Sequence, residues 1–186
     1  LYPSYKKREE KPAAYYKVLA ETRALVGQAP AFTNVYYPDR EADDLIGVIA
    51  KYYESPRNTV IIVSSDKDMY QLISDNVVVI RPNEPKERQL YDKTVFMQKF
   101  GFPPHLFVDY YCLVGDSSDN IPGAKGIGEK TATELVQKYG SLDNILQAAS
   151  KEGKTGEKLL ASQQEVKLFK RIMTLKDLPP LDWMVF

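Results

Sequence analysis

TVIIVSSDKDMYQLISDNVVVI, residues 59–80, holds the signal from which the fold can be read. Residues 59–63 form an unbroken β-branched run, the pattern of a parallel strand covered on both faces. The run stops at Ser64-Ser65-Asp66, and after a short helix over residues 69–73 the apolar pattern returns at 77–80. Strand, helix and strand in that order predict an open α/β sheet. Ligands in such sheets bind beyond the carboxyl ends of the strands, which is where Asp66 and Asp68 stand.

Upstream, Val18, Leu19, Thr22, Leu25 and Val26 recur at helical spacing, predicting a helix over 12–26 that Gly27 ends. Residues 31–37 read as a short strand closed by Pro38. A second helix follows, with an acidic first turn and a buried stripe of Ala42, Leu45, Ile46, Ile49 and Ala50. Downstream of Thr94 the pattern becomes helical: 94–100, 104–114, 129–139, 141–149 and a last helix through 168–173. The polar, glycine-containing stretch 150–156 is expected to be a mobile loop.

The 186 residues, 44% of them apolar, suffice for one domain with a small appendage. No stretch approaches the roughly 20 apolar residues of a membrane-spanning helix, and the charged opening is no signal peptide, so a cytoplasmic setting is expected. A single cysteine, Cys112 in an apolar run, excludes a disulfide framework and a zinc-cysteine cluster and reads as core. The 25 basic and 25 acidic residues cancel, so the chain is no simple polybasic binder. The two signs are nonetheless segregated along the sequence, as suits a metal site flanked by phosphate-binding surfaces. The 13 tyrosines, including the pairs 15–16, 36–37, 52–53 and 110–111, are expected to pack amphipathically, with Tyr5 as the candidate exception.

Three acidic groups bound apolar elements: Glu41-x-Asp43-Asp44, Asp66-x-Asp68 and Asp116-x-x-Asp119. Each has an ordinary structural reading, as first-turn helix acids, as caps, or as a turn after Gly115. Their coincidence has another. Two unit charges 4 Å apart repel by about 4 kcal/mol at an effective dielectric of 20, so converging acids call for cations between them. Carboxylate oxygens select hard ions such as Mg²⁺ or Mn²⁺, and two such ions suit a phosphodiester displacement. His105, at a helix start far from the acids in sequence, is assigned no catalytic role. Gly123-Ala124-Lys125-Gly126-Ile127-Gly128 opens a helix at Glu129-Lys130-Thr131 and reads as a phosphate cradle flanked by two lysines. No strand precedes it and no Gly-Lys-Ser/Thr ends it, which excludes a dinucleotide fingerprint and a P-loop.

EADD (41–44), SSDKDMYQL (64–72) and GDSSDNIPGAKGIGEKTA (115–132) together resemble the 5′-nuclease, or flap endonuclease, family: the 5′–3′ exonuclease domain of bacterial DNA polymerase I and the stand-alone phage enzymes. The resemblance implies an α/β, PIN-like 5′-nuclease fold, with a central twisted, mostly parallel sheet flanked by helices. It divides the chain into a nuclease core over 1–112, whose residues 1–12 are a remnant of the helical clamp, and a helical DNA-binding region over 113–186. It implies a structure-selective nuclease of DNA replication and repair, cutting 5′ flaps and 5′ ends by a two-metal-ion mechanism to leave a 5′-phosphate and a 3′-hydroxyl. Glu41, Asp43, Asp66, Asp68 and Asp116 match acids that hold two divalent ions, Mg²⁺ or Mn²⁺, directly or through water. Asp44 and Asp119 match members of the same cluster. Residues 123–132 match a helix-three-turn-helix that grips duplex phosphates through Gly123, Lys125, Gly126, Ile127, Gly128, Lys130 and Thr131, with a potassium ion implied in the turn. Tyr5 matches a tyrosine that stacks on a base, and Lys6 a catalytic lysine that stabilises the scissile phosphate.

The chain also departs from the pattern. The family's arginine three residues after that lysine is Glu9 here, with Arg8 one place earlier as the nearest DNA-binding match. The family's opening strand and two early metal-binding aspartates would precede Leu1, so the chain is expected to be a fragment or split part, a DNA-binding monomer that works with a missing N-terminal segment. Two other functions fit part of this pattern: a catalytically weak module that binds branched or duplex DNA, and a ribonuclease on the same acidic fold. The long glycine hairpin argues against the ribonuclease.

Overall fold

A computed structural model of the chain describes residues 2, 3, 5, 6, 10–37 and 40–178. Arg8 lies outside the described residues. Among the described residues, three strands form one sheet in the order β1 (Val60–Val63), β2 (Val77–Ile80), β3 (Leu90–Tyr91). β1 and β2 run parallel, with Val60 opposite Val77, and β3 pairs antiparallel with β2 through Val79–Tyr91 and Ile80–Leu90. The crossover between β1 and β2 is the 3₁₀ segment Lys67–Leu72, which Asp66 opens by accepting the Asp68 N–H at 2.9 Å.

Among the described residues there are eight α-helices: α1 (Ala13–Gln28), α2 (Ala42–Tyr53), α3 (Lys93–Phe100), α4 (Phe107–Val114), α5 (Glu129–Tyr139), α6 (Leu142–Ala148), α7 (Gly153–Ala161) and α8 (Gln163–Met173). One continuous core runs from Ala50 on α2 through β1, β2 and α4 to Phe169 and Met173 on α8, so the sheet and the helical region share an interior. Its centre is aromatic: Tyr70, Phe96, Phe100, Phe107 and Tyr110 pack with ring centroids between 4.5 and 6.2 Å, mostly edge to face. Cys112 is fully buried there, as expected.

Several sequence expectations are corrected. Residues 31–37 form no strand: no described strand lies beside them to complete a ladder, and Phe32 and Tyr36 stand exposed. β1 is covered on one face only, with Ile62 buried but Ile61 and Val63 59% and 64% exposed. α1 runs through Gly27 to Gln28 and buries none of its residues. On α2 the buried face is Asp44, Leu45, Val48 and Ala50; Ile46 and Ile49 are half-buried and Ala42 is exposed. Of the tyrosine pairs, 110–111 is core, whereas Tyr15, Tyr16, Tyr36, Tyr52 and Tyr53 are exposed.

The stretch 150–156 is not a loop but a 3₁₀ turn (Ala149–Lys151) leading into α7. The glycine there serves close packing, since a Cβ built on Gly156 would lie 1.7 Å from the Ala149 carbonyl oxygen. Alanine normally stabilises a helix relative to glycine by about 1 kcal/mol. Gly156→Ala is expected to reverse that sign and destabilise by about 2 kcal/mol, lowering Tm by roughly 4–8 °C in a calorimetric scan. A Tm at or above the parent's would show that α7 does not rest on this turn.

Candidate functional site

Glu41 and Asp43 stand at the start of α2, and Asp66 and Asp68 beyond the carboxyl end of β1, where Ser64 N–H still donates to Ile80 O at 3.0 Å. Asp116 and Asp119 follow α4, where the chain turns sharply at Gly115 (φ 90) and returns at Gly123 (φ 70). Each of these glycines approaches the opposite backbone so closely that a Cβ would meet it at 2.5 Å. Ala124 N–H donates to Leu113 O at 2.7 Å, so the acid-bearing turn is bound to the end of α4.

The local capping roles read from the sequence are present. Asp66 caps the 3₁₀ segment, Asp116 accepts the Ser118 N–H at 2.8 Å and its hydroxyl at 2.6 Å, and Asp43 accepts the Asp44 N–H at 2.9 Å. These bonds fix the carboxylates without neutralising them. Their fields meet at Asp68, whose carboxyl is pushed up to about 7, first by burial and then by repulsion from Asp66, Asp116, Asp119 and Asp43. Asp43 is raised as well, by burial and by Glu41 and Asp44, against the opposing effects of the Asp44 N–H and Lys6. Burial works the same way on Asp116, but its Ser118 and Tyr111 hydrogen bonds outweigh it and hold that carboxyl below the ordinary range.

Cations already stand among these acids. Lys6 has a left-handed backbone (φ 52), donates its N–H to Asp119 O at 3.2 Å, and places Nζ 2.7 Å from Glu41 Oε2 and 4.0 Å from Asp43 Oδ2. Tyr5 is half-buried beside it, with the Lys6 ammonium 5.2 Å from its ring centre, in a turn rather than a helix. Asp44 points the other way. Its Oδ1 accepts the Lys176 N–H at 2.8 Å and Lys176 Nζ lies 3.1 Å from Oδ2, an ion pair whose angles fall short of a hydrogen bond. Asp44 therefore ties residues 174–178 across α2. Gln71 holds the same strap, donating to Met173 O and accepting from Leu175 N, each at 3.0 Å.

Glu41, Asp43 and Asp68 share one cavity of about 570 Å³ with Tyr5, Lys6 and α8, whereas Asp116 faces a different hollow, with Lys67 and Tyr111, whose lining has no residue in common with the first. Among the described residues, no three Asp, Glu, His or Cys side chains stand close enough to hold one ion together. The donors do fit hard divalent cations in kind: all are carboxylate oxygens, and the acid at their centre is held near a neutral pKa by burial and by the surrounding negative charge.

The glycine turn lies at the head of α5. Ile127 is buried, whereas Lys125, Gly126, Gly128 and Lys130 are exposed and Thr131 is half-buried. Gly128 precedes the helix with nothing within 4 Å of where a Cβ would be, so the backbone there is open to a large anion. Lys158 of α7 donates to Gly126 O at 3.1 Å.

Sequence reasoning missed two buried supports. Arg81, at the end of β2, donates to Ser65 O at 2.8 Å, Tyr70 OH at 3.1 Å and Glu84 at 2.6 Å, fixing the turn that carries Asp66. Asp109 accepts from Leu142 N and Lys170 Nζ, both at 2.7 Å, joining α4, α6 and α8. An arginine ending an apolar strand and an aspartate inside an apolar helix were the available signals.

A family model described as the N-terminal, resolvase-like domain of 5′–3′ exonuclease matches residues 1–101, and one described as its C-terminal SAM fold matches 102–185. The chain belongs to the 5′–3′ exonuclease family. Relatives in this family include the thermostable DNA polymerase I of Thermus thermophilus, 38% identical over 96% of this chain and 21% of that protein. A 5′–3′ exonuclease of Aquifex aeolicus is 38% identical over 78% of this chain and 50% of that one. The chain thus spans about a fifth of the polymerase relatives it matches. The exonuclease-family fold is shared with the T5 D15 protein co-crystallised with metal ions (TM-score 0.79, 21% identity, 94% of this chain and 68% of that one). It is shared more distantly with the catalytic core of Rad2 in complex with DNA (TM-score 0.58, 14% identity, 92% and 59%).

Burial and the neighbouring acids hold the metal-free Asp68 carboxyl at about 7, against an unfolded value of about 3.9, so the folded state binds more protons between those values. Stability contributed by the neutral acid is present at low pH and lost as pH rises through about 7. Asp68→Asn is expected to raise the metal-free Tm at pH 8 and to lose most of that advantage by pH 5. An equal Tm at pH 8, or a larger gain at pH 5, would contradict the crowding of acids around Asp68.

Proposed function

We propose that this chain is the catalytic and duplex-gripping part of a structure-selective 5′ nuclease that hydrolyses DNA at 5′ flaps and 5′ ends. The supporting observation is the Asp68 carboxyl, pushed to about 7 in part by acids from all three sequence motifs. Glu41, Asp43, Asp66, Asp68 and Asp116 would hold two divalent ions, Mg²⁺ or Mn²⁺, with Asp119 in support. When bound, those ions supply an activated water and stabilise the charge that develops on the attacked phosphate.

The chain's own residues orient the reaction. Asp66 and Asp116 each have Oδ1 engaged by a backbone N–H, which aims the carboxylate. Asp44 acts through the strap, holding Lys176 and the wall of the cavity. Lys6 offers an ammonium at the acidic cavity that can transfer from Glu41 to the scissile phosphate, with Tyr5 beside it for the terminal base. Lys125, Lys130, Thr131 and the N–H groups around Gly126, Ile127 and Gly128 hold duplex phosphates independently of sequence, with Gly123 allowing the turn. A potassium ion would add to that grip at the turn's carbonyls.

Mg²⁺-dependent cleavage of a 5′-flap duplex by the intact protein is expected to vanish with chelator and with Asp68→Asn. Cleavage that persists in chelator would refute the mechanism. Lys125→Ala and Lys130→Ala should each weaken duplex binding and reduce the slope of log K against log salt by about 1. Unchanged slopes would remove the glycine turn from the interface.

A second reading is favoured by one observation: no three described acids share a common ion position. In that case residues 1–186 bind duplex DNA but cut it slowly. Rapid Mg²⁺-dependent single-turnover cleavage of a 5′-flap duplex by residues 1–186 would exclude it.

A further inference from the structure

The cavity over Glu41, Asp43 and Asp68 has a second wall built by α8, in the helical region. Leu168, Arg171 and Ile172 line it at i, i+3 and i+4, one face of the helix, with Met173 at its end, while Val166 and Phe169 are buried in the core. Three cations border the space: Lys6, Lys176 and Arg171. Two of them are engaged, Lys6 with Glu41 at 2.7 Å and Lys176 with Asp44 at 3.1 Å. The neighbouring Lys170 is engaged as well, with Asp109 at 2.7 Å. Arg171 is exposed and has no ion-pair or hydrogen-bond partner among the described residues.

An unpaired guanidinium beside a carboxylate-lined cavity is surplus positive charge placed where the acids have not claimed it. Its planar fork matches two phosphate oxygens better than an ammonium does. The cavity, about 570 Å³, is of the size that takes a nucleotide-scale ligand. Tyr5 on one side and Leu168 and Ile172 on the other offer apolar surface for a sugar and base. We propose that Arg171 is a positioning residue that grips a phosphate next to the scissile one, so that α8 as well as the metal acids sets the register of the cut. This inference rests on the nuclease reading above.

Neutral methylphosphonate linkages placed in turn at the two phosphates flanking the cut test it directly. The intact protein, Arg171→Ala and Arg171→Lys would be compared on these 5′-flap duplexes, with Mg²⁺ for kinetics and Ca²⁺ for binding without turnover. One methylphosphonate should raise KM for the parent roughly 10- to 100-fold, as expected for one charge-assisted contact. Arg171→Ala should lose about as much on the all-phosphate duplex, chiefly in KM, and lose nothing more when that methylphosphonate is present. Arg171→Lys should recover part of the loss. Additive losses at both positions, or no loss in Arg171→Ala, would overturn the assignment. If the parent fails to cut any duplex, the nuclease reading fails. The same non-additivity is then read from Kd in Ca²⁺, and its absence there overturns the Arg171 contact independently. Unchanged Tm values, and Arg171→Gln as a second variant, separate loss of contact from loss of fold.

Discussion

Mutual repulsion among carboxylates is the constraint around which this molecule is arranged. Acids from the start of α2, from beyond β1 and from the turn after α4 reach Asp68 with their fields, and the cavity that Asp68 shares with Glu41 and Asp43 is bordered by Lys6, Arg171 and Lys176. What holds them there is local: backbone N–H groups cap Asp66 and Asp116, and Lys6 pairs with Glu41 while Lys176 pairs with Asp44 at the edge. The repulsion is lessened by these contacts and not abolished, and divalent cations are what would relieve the rest in the function proposed.

Supports lie one layer further out. Arg81 reaches from the end of β2 to the carbonyl beside Asp66, and its ion pair with the half-buried Glu84 holds the guanidinium in place. Gln71 and Asp44 fasten the strap after α8, bringing the C-terminal end of the helical region against α2. Because one core runs from the sheet to α8, the acidic cavity and the glycine turn are parts of one body. A duplex held at α5 would therefore be held in fixed relation to the acids.

Much of this was legible in the sequence, for physical reasons that differ by element. β1, β2 and the helices α3 to α6 and α8 announce themselves by periodicity, and the acid groups by their position at element ends. The same local signals misled where a tertiary partner decides the outcome. Residues 31–37 have strand composition but no neighbouring strand among the described residues, and α1 has apolar spacing but no surface to bury it. Glycine in 150–156 suggested mobility, whereas Gly156 is there because Ala149 leaves no room for a Cβ. Asp44 could not be separated from Asp43 by sequence, since its partner Lys176 lies 132 residues away. Arg171 likewise gains meaning only when α8 is seen to wall the cavity.

The central claim, that separated acids converge on divalent cations, is tested most directly by anomalous scattering from crystals of the intact protein soaked in Mn²⁺. The account predicts peaks bonded directly or through water to Asp68, Glu41 or Asp43 on one side and to Asp66 or Asp116 on the other. Peaks confined to unrelated surface acids, or none at Mn²⁺ concentrations that support cleavage, would contradict it.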